Sequence, residues 1–96
     1  MTDRELHKQK LQAQLDEWKA DIAKLRARAA GATADAQLTM NKQVGALEHK
    51  LVEAQAKMVE LGDASEDAWH TVKQGADAAW ETLTSAFGEA RTKFQH

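Results

Sequence analysis

Four histidines, His7, His49, His70 and His96, are the side chains of this 96-residue sequence best suited to hold a metal or move a proton. No two of them stand four apart, the spacing that sets two imidazoles on one turn of a helix. The run Asp67-Ala-Trp-His70 has the carboxylate-x-x-His form of di-iron bundles. Such a centre needs a second copy of that motif and two further carboxylates aimed into the core. On a helix, Asp67 and His70 turn away from the neighbouring tryptophans and read as surface residues. Ser65 and Ser85 have no base and acid at a spacing that argues for nucleophilic chemistry. There is no glycine-rich phosphate loop. The absence of Cys excludes thiolate chemistry, disulfides and Cys-based zinc sites. The acids lie scattered along solvated faces, with Glu53–Lys57 and Glu89–Lys93 spaced as i, i+4 ion pairs. The sequence thus predicts no catalytic residue, no cofactor, no metal and no enzyme.

The elements that carry these residues are helices. Proline is absent, and Ala, Leu, Lys, Glu and Gln dominate. β-Branched and aromatic residues are too sparse for strands. Nineteen apolar residues are Ala and only 22 are larger. A single domain over 1–96 is therefore short of large core side chains and close to the lower size limit for folding alone. The formal net charge is −2, made of +2 over 1–30 (seven basic, five acidic) and −2 in each of 31–64 and 65–96 (three basic, five acidic). No basic patch suited to nucleic acid arises. The charged start Met-Thr-Asp-Arg-Glu has no apolar run behind it, and no stretch nears the roughly 20 apolar residues of a membrane span. The expected location is the cytoplasm.

One stripe organises the chain. It runs Leu11, Leu15, Trp18, Ile22, Leu25, Ala29, Ala32, Ala36, then Met40, Val44, Leu47, Leu51, Ala54, Met58, Leu61. Steps of three and four alternate, the pattern of a coiled-coil heptad, with an extra four near Ala36–Val44 that acts as a stutter. Gly31 could end a helix and Thr33 could cap the next, which gives the alternative of a three-helix bundle with a turn near Gly31. Because the stripe keeps phase across Gly31, the favoured reading is one long helix over about 3–61. Leu61-Gly62 and the Asp63…Glu66 capping pattern place a turn at 62–64 and a further helix over about 64–94. In that helix Trp69, Val72 and Ala76 recur after 11 residues as Trp80, Leu83 and Phe87, then fade to Arg91 and Phe94. The predicted class is all-α: an antiparallel coiled coil or helical bundle.

Three segments carry a resemblance. They are Lys10-Leu-Gln-Ala-Gln-Leu-Asp-Glu-Trp18-Lys-Ala-Asp-Ile22, Ala34-Asp-Ala-Gln-Leu38, and Asp67-Ala-Trp69…Val72-Lys-Gln-Gly75…Ala79-Trp80-Glu-Thr-Leu83…Ala86-Phe87. Together they resemble a family of small bacterial coiled-coil proteins, largely uncharacterised and generally labelled stress-response. The resemblance spans nearly the whole chain and implies an oligomeric interaction protein with no catalytic residues. Gly31, Gly45 and Gly88 depart from it, where ordinary helix formers are expected.

Two binding readings follow. In the first, the chain self-associates into a homo-oligomer and docks a partner helix of unknown identity on the shared stripe. In the second, the 11-residue aromatic repeat of 65–94 lies on a membrane or other apolar surface, as in the exchangeable apolipoproteins it resembles. The last helix carries only Lys73, Arg91 and Lys93 against five acids, which favours a protein partner over an anionic membrane.

Overall fold

The computed structural model describes residues 2–94, and of Phe94 the backbone alone, so the stripe position predicted at Phe94, like His96, lies outside the described side chains. The described residues form three helices, α1 (Asp3–Ala30), α2 (Ala34–Asp63) and α3 (Glu66–Phe94), folded into a bundle of 51 × 20 × 17 Å. No strand occurs among the described residues. All-α architecture and helix packing follow the sequence reading. The unbroken helix over 3–61 does not: it would be roughly 90 Å long, and the chain instead turns back at Gly31-Ala32-Thr33.

The reason lies in the alanines. Ala29 is buried and Ala32 half-buried, but Ala36 is exposed, so this stretch offers little apolar surface to hold a straight helix against anything. Folding back sets Leu11–Leu25 against Val44–Leu61 within one chain. Gly31 caps α1 at φ −89°, its N–H donating to the Arg28 carbonyl while Ala32 N–H donates to that of Ala29, and Thr33 is the extended N-cap of α2. Continuous phase across a turn means only that both helices face one core.

The second turn is displaced from its expected place. α2 continues through Gly62 to Asp63, and Ala64 is its C-cap. The cap of α3 is Ser65, whose Oγ accepts from Ala68 N at 3.2 Å, rather than Asp63. At the start of α1, Thr2 Oγ1 accepts from Glu5 N. Acids occupy the first turn of every helix, and Arg28, Arg91 and Lys93 stand in last turns, complementing the helix dipoles.

The core is the predicted stripe. Leu11, Leu15, Trp18, Ile22 and Leu25 of α1 meet Val44, Leu47, Leu51, Ala54 and Leu61 of α2 and Ala76, Trp80, Leu83, Phe87 and Ala90 of α3. Met40, Met58, Trp69 and Val72 pack half-buried on its margin. Among the described residues, no polar or charged one is buried. The backbone of α2 lies close to both other helices, whereas α1 and α3 meet mainly through long side chains. That wider seam is filled by aromatic rings. Trp18 stacks on Phe87 (5.4 Å, 11°) and tilts against Trp80 (6.0 Å, 48°). The buried Trp80 Nε1 donates to the Leu11 carbonyl at 3.2 Å, meeting the need of an indole N–H out of water.

Candidate interaction faces

The residues that could do chemistry are mostly occupied with structure. His7 Nε2 sits 2.8 Å from Asp77 Oδ1, and its ring meets Trp69 edge-on at 6.2 Å. Lys73 reaches the other oxygen of Asp77 at 3.8 Å. His49 lies 3.3 Å from Glu53, and Lys57 pairs with Glu60 at 3.2 Å; the expected Glu53–Lys57 pair does not form, because each side chain has the nearer partner. Asp67 and His70 are exposed. Among the described residues, no three His, Cys, Asp or Glu are grouped to hold a metal. The hydroxyls of Thr39, Thr82, Thr84 and Thr92 each donate to a carbonyl one turn back.

At one end of the bundle, Arg4 ties all three helices. Its guanidinium donates to the carbonyls of Leu61, at 3.2 Å, and of Ala64, and lies 4.5 Å over the Trp69 ring. The carbonyls that α2 leaves open at its C-terminus thus gain a charged donor. An open groove lined by Thr2, Arg4, Glu66, Trp69 and His70 runs beside this knot. Further along, Arg91 hydrogen-bonds Asp21 and approaches Glu17, which holds its guanidinium above the ordinary arginine value, chiefly through the Asp21 bond. The pairs His7–Asp77 and Asp21–Arg91 share one sequence separation, 70 residues. That constant offset fixes α1 and α3 parallel and in register. None of these pairings was legible in the sequence, since they join residues a whole hairpin apart.

Of the predicted stripe residues with described side chains, all but Ala36 and the fading position Arg91 are buried or half-buried inside the single chain. This includes Trp18, at 1% exposure. The aromatic face of α3 is likewise turned inward, with Trp80 and Phe87 buried and Trp69 and Val72 half-buried.

What remains outside is a line that the sequence reading missed. Four large apolar side chains among the described residues are exposed: Leu6 at 50%, Leu38 at 71%, Val52 at 62% and Val59 at 65%. Three of them lie on α2, with Gly45 completing a strict seven-residue spacing through Leu38, Gly45, Val52 and Val59. Seven residues are nearly two helical turns, so these positions form one line, about 150° around α2 from its core face. Ala56, also exposed, lies beside it. Glu48 on its border is ion-paired with Arg26 of α1. The heptad spacing was the available signal, hidden by the denser inner stripe of the same helix.

No helix among the described residues is long and apolar enough to cross a membrane. Compared with protein-family models, curated proteins and solved structures, the chain matches none of them.

Proposed function

We propose that this protein is a non-enzymatic interaction protein of the small bacterial stress-response coiled-coil type, acting in the cytoplasm by association through helices. The observation that carries the reading is the line Leu38, Gly45, Val52, Val59. The inner stripe is used up within the chain, so association falls to the outer face of α2. Large apolar side chains at heptad spacing on a solvated helix face are suited to a second helix laid alongside. The reading has further support from the chemistry-bearing side chains, which serve as caps, back-bonds and ion pairs.

Sedimentation velocity from micromolar to millimolar concentration tests this, paired with fluorescence anisotropy of a labelled synthetic helix bearing leucine at heptad positions. Association with itself or with the peptide is expected, and Val52→Lys with Val59→Lys should remove it while leaving the circular dichroism melt in place. A chain that stays monomeric and ignores the peptide would overturn the reading.

A further inference from the structure

We infer that the outer line of α2 is covered by the same line of a second copy of this chain, the two helices running antiparallel about a two-fold axis between Glu48 and His49. The inference rests on the helix-docking reading and names its partner.

A surface pairs with itself only if its pattern survives the two-fold operation. In this register Leu38 faces Val59 of the second copy, Gly45 faces Val52 of the second copy, and Asn41 faces Ala56 of the second copy. Gly45 gives the pairing its shape. It stands inside a helix, where glycine is unfavourable, and nothing of its own chain lies within 4 Å of where a Cβ would be. Internal packing therefore does not require it. Between the exposed Leu38 and Val52 it leaves a hollow that accepts a valine from a facing helix. Gly75 and Gly88 are equally open, but no large exposed apolar side chain stands on their helix among the described residues.

Charge selects the orientation. In an antiparallel pair, like flanks of the two helices meet. Lys42 then lies about 3 Å along the axis from Glu53 of the second copy and about 7.5 Å from Glu60 of the second copy, at 1.5 Å per residue. Symmetry makes each contact twice. On the other flank the two Glu48 side chains approach near the axis, and each already has its charge met by Arg26. The remaining like-charge contacts, Asp35 with Glu60 and Asp63 of the second copy, fall at the outer ends. A parallel pair is worse on both counts. It sets Gly45 against Gly45, leaving the hollow empty, and brings Glu48 towards Glu53 of the other chain.

The chain contains no Cys, so cross-linking reads the register cleanly. Val52→Cys combined with Gly45→Cys should oxidise to a covalent dimer. Val52→Cys alone should not, because the two copies of residue 52 are about 10 Å apart along the axis, beyond disulfide reach. Lys42→Glu and Glu53→Lys should each weaken dimerisation several-fold in sedimentation equilibrium, and the two together should restore it. Val52→Lys should abolish the dimer with the dilute-solution melt unchanged, which separates lost association from lost folding. Ready cross-linking of Val52→Cys alone, or a dimer indifferent to Val52→Lys, would overturn the inference. A chain monomeric to millimolar concentration that still binds the labelled peptide through Val52 would overturn only the second copy. Failure of both would remove the docking reading as well.

Discussion

α2 has two apolar faces with opposite fates. On one, Val44, Leu47, Leu51, Ala54 and Leu61 are buried; on the other, Leu38, Val52 and Val59 are among the most exposed large apolar residues described. The residue types hardly differ, but the spacing does. The inner face repeats at alternating three and four, giving a stripe wide enough to be covered by two helices at once. The outer face repeats only at seven, a line one side chain wide. Apolar burial is worth roughly 25 cal/mol per Å², so a chain that can close on only one face closes on the wider one. The narrow line is left for an encounter between molecules, where less area is at stake.

This contrast can be broken by exchanging the effects of the two faces. Leu51→Asp and Trp80→Asp put an unpaired charge into the core and are expected to abolish the cooperative melt, since an isolated buried charge is so costly. Val52→Asp, one residue from Leu51, should leave folding within about 0.5 kcal/mol of the parent, as ordinary surface changes do. Similar damage from Leu51→Asp and Val52→Asp would refute the assignment of faces. Next in size, Trp18→Ala should cost about 3–5 kcal/mol in denaturant unfolding, because the ring fills the wide α1–α3 seam and its loss leaves a cavity. Arg4→Ala removes a ring contact and two carbonyl partners at the bundle end, and should cost about 1–3 kcal/mol. Gly75→Ala should stabilise by about 1 kcal/mol, seen as a raised melting temperature, since an exposed helix interior with open space around the Cβ gains from the better helix former. Lys57→Ala, which loses only the exposed pair with Glu60, should change stability by less than about 0.5 kcal/mol. Neutral phosphatidylcholine vesicles sharpen the comparison from another side. With Trp18 and Trp80 already buried, tryptophan emission is expected to stay put, and a blue shift with added helicity would show the bundle opening onto lipid.

The core was legible because a helical stripe is a local property. From Leu11 to Phe87 the three- and four-residue steps name which side chains avoid water, whatever they pack against, and all of them but Ala36, beside the first turn, are buried or half-buried. The end caps were legible in kind and misplaced by two residues at the second turn, where Asp63, Ala64 and Ser65 offer competing caps and only Ser65 has its Oγ on a backbone N–H. The break at Gly31 had its signals, Gly31 and Thr33, but the preserved phase argued against it. Phase cannot separate the cases, because a straight helix and a hairpin both require each segment to turn the same side inward.

By itself, then, the sequence determined that the chain is helical and which face of each helix is apolar, since both depend on residues within a turn or two of one another. The tertiary structure alone decided that the chain covers its own stripe. It also set the parallel register of α1 and α3 through Trp18–Phe87, His7–Asp77 and Asp21–Arg91, and left the line through Val52 in water. Those outcomes depend on which distant surfaces meet, and no local spacing encodes that.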